Sequence, residues 1–386
     1  MTIKETDKKF ILPTYGRLDL EIVSGKGSTL KASDGKEYID FGSGIAVNTF
    51  GACDDEWIKA VTAQLGKIQH TSNYYYTEPC STLAKMLCEK TGMSKVFFSN
   101  SGAEANECAI KAARKYGTDQ NPDKNIIITL KNSFHGRTVT TLSATGQDGF
   151  HKHFTPFTGG FVYAEANNIE ELKTIANKNC CAIMFEPIQG EGGVLPLTKE
   201  FVLAAKEIAD AHDMLLIIDE VQTGNGRTGK LYAHQHFGIS PDIFTTAKGL
   251  AGGLPIGATV FSEKLKDIMP AGSHGSTFGG NPISAAAAIN VLSRLDDDFL
   301  AEVTKNSRYL WSELSKIDGI EEICGMGYMI GLTTRADAKE ILKKCLENGL
   351  LVLTAKDKVR LLPPLNITKE ELDKGIEILK TVIETI

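Results

Sequence analysis

The chain has 386 residues, 42% of them hydrophobic and 23% charged, with a formal charge of -6. That length supports two domains, and that balance excludes long disorder. The negative charge offers no electrostatic footprint for nucleic acid, and no uncharged run reaches membrane length.

From the start of the chain, Met1-Thr2-Ile3-Lys4-Glu5 leads into no apolar run, so no signal peptide and a cytoplasmic location are expected. Residues 10–50 carry short strand and turn signals. Thr29–Ala32 and Tyr38–Phe41 flank Ser33-Asp34-Gly35-Lys36, the pattern of a hairpin with an Asp-Gly turn. From about residue 55, helical segments (55–68, 79–91, 103–116) alternate with short apolar runs. The runs are Lys95–Phe98, Asn125–Thr129, Ala182–Phe185, Leu215–Ile218, Ile243–Thr246 and Ala258–Phe261. Glu200–His212 reads as a crossover helix between two of them. Alternation of this kind predicts right-handed crossovers and an α/β fold with a mostly parallel central sheet.

After residue 283 a long Ala-rich helix begins, followed by a smaller α/β unit. Its strands fall near Gly327–Leu332 and Val359–Leu362, and its helices near 336–348 and 368–384. The expected division is a large domain of residues 55–282, flanked by residues 1–54 and 283–386, which together build a smaller domain. Eight cysteines are scattered without a C-x-x-C pair, and adjacent Cys180 and Cys181 lie in an apolar context. They read as buried free thiols of a reducing compartment.

The polar residues that close the apolar runs carry the chemistry. Ser99-Asn100-Ser101-Gly102-Ala103-Glu104-Ala105-Asn106 ends a strand and opens a helix. Outward amides and a positive dipole there suit a phosphate, although an ordinary N-cap has the same look. Phe134-His135-Gly136-Arg137-Thr138 follows the next strand. It offers an aromatic face and a planar guanidinium for a carboxylate, or a plain surface loop. Glu186–Gly193 includes Glu186 and Glu191 beside Gly-rich backbone. Asp219-Glu220-Val221-Gln222 closes the Leu215 run and Lys248 closes the Ile243 run, so both can project into one crevice. A lysine amine condenses with an aldehyde cofactor, and a carboxylate holds the protonated ring nitrogen of such a cofactor. His274–Pro282 is a Gly-rich loop carrying Ser276 and Thr277. Arg360 sits in the apolar Val359–Leu362 run, where a buried charge needs a partner, either Glu191 or a substrate.

Gly224-Asn225-Gly226-Arg227-Thr228-Gly229 also matches a dinucleotide fingerprint, and Gly224 to Lys230 a phosphate-loop pattern. Both fail in context. Leu231 stands where Ser or Thr is needed, Glu220–Thr223 separate the glycines from the strand, and Asp242 precedes a strand rather than ending one. The His-x-His pairs at His151/His153 and His234/His236 lack a third ligand nearby, so solvated histidines and no metal are expected.

Taken together, Phe41–Asn48, Asn100–Asn106, Phe134–Thr138, Glu186–Gly193, Asp219–Gly229, Thr246–Leu250 and Gly275–Pro282 resemble, in order, the motifs of class III (ω-amino acid) aminotransferases. These belong to the fold-type I family that uses pyridoxal 5'-phosphate (PLP), and the likeness is greatest to its acetylornithine branch. The implied reaction is ping-pong transamination between N2-acetyl-L-ornithine and 2-oxoglutarate. Ornithine, succinylornithine, 4-aminobutyrate and succinyl-diaminopimelate are the alternative amino donors.

The resemblance implies roles position by position. Lys248 would hold the cofactor and shuttle the proton, and Asp219 would pair with the ring nitrogen. Gln222 would bond the ring hydroxyl and Phe134 would stack on the ring. Ser101, Gly102 and Ala103 would bind the phosphate, with His135, Glu186 and Val221 beside the cofactor. Thr277 would reach the phosphate of a second subunit in a homodimer, with Ser276 near substrate. Arg137 would hold the distal carboxylate, and Arg360 would pair with Glu191 until 2-oxoglutarate frees it. The family's Gly-His-x-His-Pro is replaced here by Gly51-Ala52-Cys53-Asp54-Asp55, where Asp54 or Asp55 can cap the following helix.

Overall fold

The computed structural model describes all residues, Met1–Ile386. At its centre lies a seven-stranded sheet. Its order is Lys95–Ser99, Gly257–Phe261, Ile243–Thr246, Leu215–Asp219, Cys180–Phe185, Ile126–Leu130 and Phe161–Ala164. Six strands share one direction, and Gly257–Phe261 runs antiparallel to both neighbours. The sheet is thus mostly parallel, as expected, with one reversed strand. The reason is the connection: residues 247–256 hold only a short 3-10 turn at Lys248–Ala251, with no crossover helix to return the chain in parallel. Each residue of Leu215–Asp219 is buried, as a run covered on both faces requires. The helix Lys199–Ala211 leads into that strand, its N-terminus capped by Thr198. The edge strand Phe161–Ala164 was not among the expected ones.

A four-stranded sheet joins distant parts of the chain. The hairpin Thr29–Ala32/Glu37–Asp40 forms as its Asp-Gly turn predicts, Ile22–Lys26 adds to one side, and Leu350–Leu351 pairs in parallel with Glu37–Asp40. A second antiparallel sheet holds Ile320–Met326, Met329–Thr334, Lys358–Leu361 and Leu353–Ala355, with helices Ala338–Glu347 and Lys369–Thr385 beside it. The strand expected near 327–332 is present as Met329–Thr334, and an unexpected partner, Ile320–Met326, makes it a hairpin turning where Gly327 takes φ +59°.

The Ala-rich helix is shorter than expected. Asn281 caps Pro282–Arg294, and the chain breaks before Asp296 caps a second helix, Asp297–Leu314. Asp54 does cap Asp55–Leu65, accepting from the Trp57 N–H at 2.9 Å, and Arg294 Nη1 donates to it at 2.6 Å. No helix is long and apolar enough to cross a membrane.

Two expectations fall on side-chain environment. His234 is not solvated: it is buried, with Nδ1 3.0 Å from Glu220 Oε1, and His236 is half-buried against Thr228. His151 is also half-buried, bonded to the Leu142 carbonyl. All eight cysteines are free, yet only Cys108, Cys180, Cys181 and Cys345 are buried; Cys53 is exposed. Local apolar context marked the buried ones, whereas Cys53 sits in a polar turn.

Candidate active site

The strands sharing one direction deliver their C-terminal ends to one side of the sheet, and a cavity of about 410 Å³ opens there. It is lined by side chains from six separated stretches, among them Val47, Ser101, Phe134, Glu186, Asp219 and Lys248.

After strand Lys95–Ser99, Ser101 caps the helix Gly102–Thr118, its Oγ accepting from the Glu104 N–H at 3.2 Å. Glu104 turns back to accept from the Asn100 N–H at 2.6 Å. The first-turn amides of Gly102 and Ala103 therefore remain outward, at the positive end of a 17-residue helix. Gly102 is required by proximity: a Cβ there would stand 2.6 Å from Val221 Cγ1.

Asp219 closes the Leu215 strand. Its Oδ2 accepts from Asn106 Nδ2 at 2.8 Å and lies 2.8 Å from His135 Nδ1, while Oδ1 accepts from the Val221 N–H at 3.0 Å. Asn106 is itself oriented, since Thr245 Oγ1 donates to its Oδ1 at 2.7 Å and it also donates to the His135 carbonyl. A carboxylate has about four acceptor positions, so Oδ1 keeps capacity for a further donor.

Lys248 follows strand Ile243–Thr246 at φ +44°, a strained backbone for a residue with a side chain, costing on the order of 1–3 kcal/mol. Two contacts hold the turn. Asn225 Nδ2 donates to the Ala247 carbonyl at 3.1 Å, and Thr49 Oγ1 to the Gly249 carbonyl at 2.7 Å. Protein surrounds the Lys248 amine, though part of the side chain faces the open cavity. This enclosure lowers its pKa to about 8, with Arg360 pushing the same way against the opposing pull of Glu191, Asp219 and Glu186.

Glu186 ties two loops together. One oxygen accepts from the Phe134 N–H at 2.8 Å and the other from the Gly190 N–H at 3.3 Å. Burial, and then the Asp219 carboxylate, raise its pKa well above the usual range.

Phe134 and Arg137 stand on the cavity wall, and the Arg137 Cζ lies 5.4 Å from the Phe134 ring centroid. Gln222 also lines the cavity. Behind it stand Glu191 and Arg360, joined at 2.6 Å through Arg360 Nη1, which also donates to Gln222 Oε1 at 3.2 Å. Burial works to raise the Glu191 pKa, but the adjacent guanidinium outweighs it and the net shift is downward. Arg360 is buried, so of the two partners expected for it the protein supplies one.

Two expected residues lie apart. Thr277 is exposed and outside this cavity, in a separate depression with Tyr75 and Tyr76. Ser276 reaches the cavity only through Asn100, whose Nδ2 is 3.1 Å from its Oγ. Conversely, Asn106 and Val47 line the cavity without a role expected from the sequence. Asn106 had one signal: a polar residue on the apolar stripe of its helix.

The donor set fits PLP. Amides at a helix N-terminus suit a dianionic phosphate, an aromatic face suits a flat ring, Asp219 has an acceptor position for a ring N–H, and Lys248 offers an amine of lowered pKa.

The family profile described as aminotransferase class-III matches residues 12–383. An acetylornithine aminotransferase of Haemophilus ducreyi is 49% identical over 99% of this chain and 98% of its own length. A succinylornithine transaminase of Yersinia pseudotuberculosis is 42% identical over 99% and 97%. Among solved structures, an ornithine aminotransferase of Toxoplasma gondii, with PLP at partial occupancy in its active site, superposes with a TM-score of 0.94. It is 31% identical, covering 99% of this chain and 94% of that one.

Proposed function

The chain belongs to the class-III aminotransferases, and on that premise we propose that it moves the terminal amino group of N2-acetyl-L-ornithine to 2-oxoglutarate, yielding N-acetyl-L-glutamate 5-semialdehyde and L-glutamate. One observation carries the choice of substrates: Arg137 lines the cavity of Lys248, Arg360 acts on the Lys248 amine from behind Gln222, and only Arg360 is masked by a carboxylate. An N-acylated donor reacting at its terminal amine brings one distal carboxylate, which Arg137 can take. 2-Oxoglutarate reacts at its α-carbon and needs a second guanidinium close by, which Arg360 provides once Glu191 lets go.

PLP, when bound, supplies an aldehyde for the amine and a ring that accepts electrons from the reacting carbon. The residues do the rest. The Gly102 and Ala103 amides would hold the phosphate, Phe134 would cover a ring face and Gln222 would meet the ring hydroxyl. Asp219, fixed by Asn106 and His135, would favour a protonated ring nitrogen. Lys248 Nζ would take the proton from the substrate carbon bearing nitrogen, acting as a general base.

The same reading includes a homodimer in which Thr277 reaches the partner's phosphate. Its support is the place of Thr277 outside the cavity, beside the exposed Tyr75 and Tyr76. It also keeps a large unit of residues 55–282 between 1–54 and 283–386, supported by the pairing of Glu37–Asp40 with Leu350–Leu351. Eight free cysteines support a cytoplasmic setting.

The test is a half-reaction panel with N-acetylornithine, N-succinylornithine, ornithine and 4-aminobutyrate, followed by absorbance. N-acetylornithine should give the highest kcat/KM. A tenfold preference (about 1.4 kcal/mol) for ornithine or 4-aminobutyrate would overturn the choice. The 42% identical relative makes N-succinylornithine the second reading.

A further inference from the structure

Arg137 carries its charge without a counter-charge. No carboxylate pairs with it; its Cζ lies 3.9 Å from the centroid of the Phe150 ring and 5.4 Å from that of Phe134. The two rings meet edge to face, centroids 5.8 Å apart at 76°. They make a corner into which the guanidinium fits.

Phe150 is a seated residue. It belongs to the four-residue helix Asp148–His151 and is half-buried. The next residue pins that helix: His151 Nε2 lies 2.9 Å from the Leu142 carbonyl, and its ring packs 4.9 Å from Phe157.

The manner of holding matters. A cation–π contact uses the face of the guanidinium, and its five N–H donors lie in the edge. An aromatic seat therefore holds the guanidinium with no carboxylate on its fork. An acidic seat would occupy the fork, as Glu191 does for Arg360.

We propose that Phe150 is the positioning residue for carboxylate recognition: its ring seats the Arg137 guanidinium and so sets affinity for the distal carboxylate of both substrates. This rests on the reading of Arg137 given above.

The experiment measures glutarate binding to the holoenzyme by calorimetry, alongside steady-state kinetics. The donors are N-acetylornithine and N-acetyl-1,4-diaminobutane, which is the same donor without its carboxylate. Phe150→Leu and Phe150→Met keep apolar bulk and remove the ring; Phe150→Tyr keeps the ring. For the first two, we expect the glutarate Kd and the N-acetylornithine KM to rise about threefold to thirtyfold, the range of a cation–π contact. kcat should change little, N-acetyl-1,4-diaminobutane should react as before, and Phe150→Tyr should restore the original values. Arg137→Gln separates the two readings. If it raises the glutarate Kd while Phe150→Leu and Phe150→Met do not, the role of Phe150 is overturned and that of Arg137 stands. If Arg137→Gln changes nothing, both fall. Equal slowing of the carboxylate-free donor by Phe150→Leu would mark Phe150 as merely structural and overturn the proposal.

Discussion

The rim that carries Arg137 and the inner wall that carries Arg360 hold the same charge in opposite ways. On the rim the guanidinium is exposed and lies on aromatic faces. On the wall it is buried and paired with Glu191 at 2.6 Å. A buried charge left alone is costly, so the wall arginine must have a partner in every state; the rim arginine, being solvated, need not. On the reading proposed above, this contrast would let one site accept two substrates of unequal charge. The rim would meet any distal carboxylate, and the wall only a ligand able to replace Glu191.

The largest effect is expected at Lys248, whose cavity Arg137 lines and whose amine Arg360 influences. Lys248→Ala should lower turnover by about 10²–10⁴-fold with every donor, as for loss of a proton-transferring group, and abolish the visible absorbance of the PLP-loaded protein. Near-normal turnover would place the base elsewhere and leave both arginines without a common centre. Next comes Glu191→Ala. Truncating one member of a buried pair is worth about 2–5 kcal/mol. The amino-donor and 2-oxoglutarate half-reaction rates should therefore change their ratio by at least about tenfold. Stopped-flow measurement of an unchanged ratio would remove the wall's switching role.

A gentler probe uses pH. Glu191, Asp219 and Glu186 face Lys248 and favour its charged form, while enclosure and Arg360 disfavour it, leaving a pKa of about 8. Below that pH the amine is protonated and above it free. Labelling of Lys248 in the cofactor-free protein by an amine-selective reagent, followed by mass spectrometry, should rise with pH and level off past about 8. Exposed lysines should keep rising past about 10. A Lys248 profile matching theirs would show that enclosure does not govern its charge. The smallest effect lies away from both arginines. Asp54→Ala removes a helix cap and should cost about 1 kcal/mol in urea unfolding, with half-reaction rates unchanged. A change in those rates would mean that the arginine walls are not the only elements tuning the site.

The legible part of this molecule is the part governed by strand ends. Apolar runs such as Leu215–Ile218 announce buried strands, and the first polar residue after each points to the crevice, which is why Asp219, Lys248 and Glu186 could be named. The direction of a strand is not written in its run: Gly257–Phe261 reads the same either way, and only the short connection decides. Phe150 escaped because a four-residue helix has no period to detect. His234 was read as solvated because Glu220, its partner, is fourteen positions earlier and meets it only through the fold. Thr277 could be placed near a phosphate by resemblance alone, since no residue of its own cavity points to that role.

The joining of the chain's early and late parts has a consequence for timing. Phe41 N–H donates to the Leu351 carbonyl, Leu362 N–H to the Phe41 carbonyl, Ser43 Oγ to the Leu362 carbonyl, and Leu365 N–H to the Thr49 carbonyl. The stretch they fasten leads directly to Val47 on the cavity wall and to Thr49, which steadies the turn at Lys248. During synthesis these segments emerge first and wait for partners some 310–320 residues later. The central sheet can assemble meanwhile, but the pocket stays open on one side until the last strands arrive, a late and slow loop closure. The contacts that steady this wall therefore form only after residues 351–365 have been made.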